Sequence, residues 1–597
     1  MHFHRLALVL CMFTPEAFAG ETPATRGPAA YVPDLAALAK PQSSELRELV
    51  ERYTEDRERL ERFFSVQHSE RAERTFRAFY ETWQAKLAAL PVSGLGVEGR
   101  IDHVLLRAEL THALRVLARD RKKSEEIAPL LPFAEGIAGL QESRRLLEPV
   151  EPKAAAATLD RLKRELNEAR KAVEAGLEKE PPADATVKPL HPTKIAALRA
   201  AGRLEELGKA LDDWFKHYDG YDPLFTWWAD EPHTQLSDAL KSYKTMLREK
   251  IVGVKKGEDE PIVGDPVGRD GLMEELEHEF IAYTPEELLE IANREFAWCD
   301  AEWRRTAREL GLGDDWKAAL EKSKNDYVAP GRQPELVRDL AREAIDYLQR
   351  HDLVTVPPLA ADTWRMRMMS PEAQKTSPFF LGGEEIIVSF PTSEMSHEDK
   401  LNSLRANNAH IAKATVFHEL VPGHSLQFFM MERYQPHRKI FGTPFWMEGW
   451  ALWWEFQLYA RGYTSQDPLD RAGALFWRSH RCARIIFSLN FHLGKWTPQQ
   501  CIDFLVDRVG HDRHTATGEV RRSFNGEWSP LYQAGYMMGA LQLRALHGEL
   551  VEKGGMKLRD FHDRIMQGGA MPIEMVRARL RGDRLPADYK ATWRFAE

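Results

Sequence analysis

Two histidines and a glutamate in HELVPGH, His418 to His424, have the donor types that a zinc peptidase needs, at an unfamiliar interval. In H-E-x-x-H the histidines stand four apart, one helical turn, so both imidazoles reach one ion. Here they stand six apart, and on an unbroken helix they would diverge by about 600° of rotation and about 9 Å of rise. Pro422 changes that. It has no amide hydrogen, its ring clashes with the carbonyl of His418, and it pushes Val421 out of helical geometry. Gly423 then permits backbone angles closed to other residues. The expectation is that the helix breaks, the two extra residues bulge outward, and His424 swings back toward His418.

A catalytic zinc takes three protein ligands and keeps one position open. The segment FWMEGWALWWE supplies Glu448, 24 residues beyond His424, and Glu455, seven residues further on. Two turns separate these carboxylates, so one ion cannot take both. Glu448 is the expected third ligand, and Glu455 is expected to steady a ligand histidine or line the cleft. Glu419, beside His418, is placed to act as general base toward the attacking water and to hand the proton to the departing amine. Tyr536 in SPLYQAGYMMG is the first candidate to donate to the oxyanion. Arg544 could bind a substrate carboxylate through its planar fork, and His492 is a further transition-state candidate. Gly423-His424-Ser425 lacks the second glycine of a serine nucleophile elbow, because Gln427 stands there.

These residues need a scaffold, and most of the 597-residue chain has helical periodicity. Leu46, Leu49, Val50, Tyr53, Leu60, Phe63 and Phe64 form one apolar stripe, and Leu159, Leu162, Leu166, Ala169 and Val173 form another. A proline-rich stretch at 179–192 and a glycine- and proline-bearing stretch at 254–271 break the pattern. The second suggests a division into an N-terminal helical region, 20–255, and a catalytic region, 256–597, as parts of one intertwined unit. GGEEIIVSFP, 382–391, predicts a short strand, followed by a helix that starts at Ser396 with Asp399. GLGVEG, 94–99, satisfies G-x-G-x-x-G, yet no strand precedes it, so a helix-to-helix turn is expected in place of a dinucleotide site. Trp227, Trp228, Trp446, Trp450, Trp453 and Trp454 carry helical spacing and are read as core.

Residues 1–19 have the features of an export signal: His2, His4 and Arg5, the apolar run LALVLCMF, and Ala17-Phe18-Ala19. Leu10 before Cys11 argues against a lipid-attachment site. The expected mature protein is exported, periplasmic or extracellular, with no stable membrane insertion. Its net charge of −9 gives no general nucleic-acid-binding surface. Cys299, Cys482 and Cys501 remain after the signal, and only Cys482 with Cys501 suggested a bridge; a thiolate zinc site is disfavoured. The oligomeric state is not legible in the sequence.

HELVPGH with Gln427 resembles the bacterial family catalogued as domain of unknown function 885, and so do GYDPLFTWW, IVGDPVG, EGWALWWE, FHLGKWTPQQCIDFL and SPLYQAGYMMGALQLRALH, in the family's order. The likeness runs over about residues 40–590 and is strongest in the second half. Ser425 and Ser488 depart from the family pattern. The resemblance implies a mainly α, zincin-like peptidase fold with a deep cleft and a small β element beside the metal helix. It also implies one zinc ion on His418, His424 and Glu448. The activity expected is hydrolysis of short peptides. A zinc amidase or esterase, or a silent metal-binding protein, are the other readings.

Overall fold

The structure, a computed structural model, describes residues 44–596 apart from 67, 179–187, 259, 375–378 and 527. The export signal and most of the proline-rich stretch lie outside the described residues. Helices dominate, and their starts follow from local chemistry. α1 (Val97–Ile127) leaves the 3₁₀ turn Val92–Gly94, so GLGVEG is a helix-to-helix turn. α2 (Pro152–Leu177) starts with proline at its first position, where no amide hydrogen is needed, and Glu151 caps it by accepting from the amides of Lys153 and Ala154. Thr193 caps α3 (Lys194–Tyr218), and Asp222 caps α4 (Pro223–Met246).

The periodic leucines of α2 pack with Leu204 and Leu211 of α3 and Leu236 and Tyr243 of α4 into a core of their own. A larger core unites Val50, Tyr53, Ile101 and Leu105 with Trp450, Leu475, Phe487 and Leu541. The cores therefore do not divide at residue 255, because residues near 50 and 100 are buried among those beyond 440. A buried ion cluster ties the same regions together. Asp102 on α1 accepts from Arg438 Nε at 2.6 Å and from His437 Nε2 at 2.8 Å, and Arg438 Nη1 donates to the Gly568 carbonyl at 2.7 Å. Burial raises the Asp102 pKa, but the guanidinium and imidazole outweigh it and hold it below the usual range.

The expected strand forms as β2 (Glu385–Val388), paired in parallel with β1 (Arg365–Met368), with Met366 opposite Ile386. Alternation puts Ile386 and Val388 into a small core with Ala412 and Val416 of the helix Ala409–Glu419 and with Leu420 just beyond it. Leu381 and Ile387 exchange two backbone hydrogen bonds, Leu381 N to Ile387 O at 3.0 Å and Ile387 N to Leu381 O at 2.7 Å. This hairpin-like edge carries Gly382 against Glu419, where a Cβ would lie 2.0 Å from Oε2.

The site itself is built by α5 (Ala409–Glu419), α6 (His424–Met431), α7 (Pro444–Ala460), α8 (Pro468–His492), α9 (Arg513–Phe524) and α10 (Tyr532–His547). Among the described residues the three cysteines are free and buried, so Cys482 and Cys501 are not bridged. No helix among them is long and apolar enough to cross a membrane. Trp446, Trp450, Trp453 and Trp454 are core, whereas Trp227 is 81% exposed and Trp228 is also exposed, at the surface end of α4.

Candidate metal centre

α5 ends at Glu419, and the chain reverses through Leu420, Val421, Pro422 and Gly423 before α6 begins at His424. Gly423 N donates to the Phe417 carbonyl at 3.0 Å, which folds the turn onto the helix end. Trp450 Nε1 donates to the Pro422 carbonyl at 2.9 Å and so pins the reversal to α7. Gly423 does not use the left-handed region that favours glycine: its φ is −76°, with ψ −131°. Space is what selects glycine: a Cβ here would stand 1.7 Å from the His418 carbonyl oxygen.

The reversal brings the imidazoles together, their ring centres 5.0 Å apart and their planes nearly perpendicular at 86°. Glu448 Oε2 lies 3.6 Å from His418 Nε2 and 3.1 Å from His424 Nε2. Two donors about 2.1 Å from one zinc ion, at a tetrahedral angle, stand about 3.4 Å apart. The observed spacings straddle that value, and two nitrogens and one carboxylate oxygen form a donor set suited to zinc. The donor atoms of His418, Glu419 and His424 also all lie within 4.8 Å of one another, so Glu419 competes on distance alone.

Charge separates the two carboxylates. Burial raises Glu448, but His424 and His418 override it and hold it well below the ordinary carboxylate range, the ionised state a ligand requires. Burial raises Glu419, and the histidines only partly offset this, leaving a carboxylate suited to accepting a proton. Paired carboxylates pushed in opposite directions mark different roles.

Glu455 Oε1 lies 2.7 Å from His418 Nδ1. Burial lowers the His418 pKa, but Glu448 and Glu455 override it and raise it to about 9; with an ion on Nε2 the ring would be neutral and its one proton would sit on Nδ1, held by Glu455. We expect Glu455→Gln to weaken zinc affinity by about 10–100-fold while the fold persists, measured by competition with a chelator of known affinity. Unchanged affinity would remove Glu455 from the centre.

α7 and α10 cross at glycines. A Cβ on Gly449 would lie 2.6 Å from Gly539 Cα, and one on Gly535 would lie 2.9 Å from Pro444 Cβ. This close crossing sets Tyr532 and Tyr536 of α10 beside Glu448. Tyr532 OH donates to Glu448 Oε1, the oxygen that faces away from the histidines. Tyr536 stacks on His418 with ring centres 6.3 Å apart, and the guanidiniums of Arg481 and Arg484 each lie 4.6 Å from its ring centre. Tyr536 thus lies at the centre as expected. Tyr532 was missed, although it precedes Tyr536 by four residues on the same helical face.

Two sequence candidates lie elsewhere. Arg544, two turns beyond Tyr536, is carried to another surface, where Nη2 donates to Glu295 at 2.9 Å in a separate cavity. His492, at the end of α8, is buried against Phe491 and Phe524, its Nδ1 3.5 Å from the Val267 amide, and it does not line the cleft. Burial lowers its pKa to about 4, which fits a neutral packed imidazole.

The centre opens into a cleft of about 510 Å³. Phe379–Gly383 form one rim, Phe428 and Met447 add apolar wall, and Arg481, Arg484, Arg521 and Arg522 line the side formed by α8 and α9. Nothing in the sequence reading pointed to these arginines; the i, i+3 pair Arg481 and Arg484 in RSHRCARIIF was the available signal.

No curated protein matches the chain. Two solved structures share its fold. One, from Shewanella oneidensis, is described as a putative lipoprotein of unknown function; it is 19% identical, with a TM-score of 0.66 over 90% of this chain and 100% of the other. The second, from Colwellia psychrerythraea and described in similar terms as a lipoprotein, is 16% identical, with a TM-score of 0.53 over 86% and 91%. The family of bacterial proteins of unknown function DUF885 matches residues 59–580, a span that holds α5 to α10 and every residue of the centre, and the chain belongs to that family.

Proposed function

We propose that this protein is an exported zinc-dependent peptidase of short peptides. The observation that carries the reading is the position of Glu448 Oε2, 3.1 and 3.6 Å from the Nε2 atoms of His424 and His418, with Glu419 alongside. A zinc ion held by His418, His424 and Glu448 would supply Lewis-acid chemistry toward a substrate carbonyl. The protein's own groups do the rest. Glu419 takes the proton of the attacking water at its carboxylate and delivers it to the departing amine. Burial pushes Tyr536 up to about 12, so its hydroxyl keeps its proton at neutral pH and can donate to the developing oxyanion. Gly382, next to the Leu381–Ile387 pair and on the rim of the cleft, offers its backbone groups to an extended chain. A cleft of this size takes a few residues of peptide and excludes folded protein. Similarity to two chains described as lipoproteins supports export.

The test is elemental analysis of the purified protein with digestion of a mixed short-peptide library, read by mass spectrometry. We expect one equivalent of zinc, cleavage abolished by a chelator, and cleavage restored by added zinc. Bound zinc with an untouched peptide library, but turnover of simple amides or esters, would move the reading to non-peptide substrates. Protein that takes up no zinc and cuts nothing would end it.

A further inference from the structure

The proposed peptidase reading leaves a cationic wall with no task. Arg481 is buried, 5% exposed, and stacks between aromatic rings, with its guanidinium 4.6 Å from the centres of both Trp477 and Tyr536. Among the described residues its one ion pair is with Glu455 Oε1 at 3.7 Å, too long for a hydrogen bond, and that oxygen already receives His418 Nδ1. Its Nε has no hydrogen-bond partner. Arg484, 3% exposed, donates through Nε to Glu519 at 2.7 Å, and its Nη1 is also without a partner. Glu519 cannot neutralise the wall, because Arg522 donates to its second oxygen at 2.7 Å. A buried guanidinium with unused donors is destabilised by each hydrogen bond it leaves unmade. Both residues line the cleft, and the terminal nitrogens of Arg481, which make only the long contact to Glu455, are placed to meet a planar anion there.

Resting on the peptidase reading, we propose that Arg481, seconded by Arg484, forms a carboxylate-binding subsite that receives the residue on the leaving-group side of the scissile bond. The anion is either the substrate's own C-terminal carboxylate or an acidic side chain on that residue. Position favours a site so near the centre. Arg481 is separated from His418 by one carboxylate, Glu455, and one ring, Tyr536. A residue spans only about 3.3–3.6 Å of extended chain, so the carboxylate would belong to a residue at or next to the cut. The flanking aromatic faces hold the guanidinium in one orientation and limit what it loses on binding. Arg481 is a specificity-determining residue in this proposal, and the chemistry remains with Glu419.

The probe is the peptide Ala-Ala-Phe-Phe in three forms: the free acid, the C-terminal amide, and an amide in which the last residue is glutamate. Binding is measured by calorimetry on zinc-loaded protein carrying Glu419→Gln, so that no turnover intrudes, and cleavage is measured on the wild type. We expect one carboxylate form to bind at least about tenfold more tightly than the plain amide. In Arg481→Met that preference should collapse to within about twofold, and Arg481→Lys should recover only part of it. Preference for the free acid assigns the anion to the chain end, and preference for the glutamyl amide assigns it to a side chain. Equal binding of all three forms by the Glu419→Gln protein overturns the proposal without any variant at Arg481, as does a preference that survives Arg481→Met in protein with unchanged zinc content. Discrimination among the forms with no cleavage would leave the subsite standing and sink the peptidase reading. Equal cleavage of all forms would do the reverse.

Discussion

Glu419→Gln should reduce peptide turnover by about 10²–10⁴-fold while zinc content stays at one equivalent. The substitution keeps the shape that fills the space beside Gly382 and removes only the basic oxygen. His418, His424 and Glu448 are untouched, so metal affinity measured by chelator competition should remain within a few-fold of wild type. KM should change little, since the glutamate meets the attacking water and not the bound peptide. Loss of zinc together with activity would show that Glu419 is a ligand, as its distance from the two histidines alone would allow. Full activity with zinc retained would eliminate the general-base assignment.

Gly423→Ala should have the second large effect, at a position that touches neither substrate nor metal. The added methyl would begin 1.7 Å from the His418 carbonyl oxygen, where real contacts are never below 3.0 Å, and that oxygen belongs to backbone that cannot turn aside. Relief requires the start of α6 to move away from the end of α5, carrying His424 with it. A displacement of about 1 Å at a positioned group can cost about 10²-fold. We expect at least that loss in zinc affinity, with activity falling in parallel at sub-saturating zinc and partly restored by excess. The metal-free variant should also melt at lower temperature than metal-free wild type, since the clash is present without the ion. Wild-type affinity and melting temperature would mean that the reversal is soft.

How far the site could be read from the chain varies residue by residue, for physical reasons. Proline at 422 and glycine at 423 announce a broken helix in any context, so the return of His424 was legible, although the reason for glycine was not. Crowding by a carbonyl that lies five residues back in the chain cannot be seen until the turn is built. Glu448 and Glu455 were separable because seven helical positions place two turns between them. Arg544 failed because eight positions preserve the face only roughly while moving about 12 Å along the axis, into contact with Glu295. Arg481, Arg484 and Tyr532 left only faint local marks, the i, i+3 and i, i+4 spacings, because their roles arise where α8, α9 and α10 meet. The mainly helical fold followed from periodicity, and the strand Glu385–Val388 from a β-branched run between breakers. The two cores were not legible, since the partners of Val50 and Ile101 lie hundreds of residues away.

The bond between Asp102 and Arg438 spans 336 positions of the chain. During synthesis, α1 leaves the ribosome with an acid destined for a water-free place and no cation to meet it until most of the polypeptide has emerged. Placing that carboxylate in the interior unpaired costs several kcal/mol, so the surrounding N-terminal helices have reason to stay solvated until then. The Asp102 pair is therefore complete only once both ends of the chain are in place, and Trp450 and Leu541, which flank Glu448 and Tyr536, belong to the same large core as Ile101 beside it.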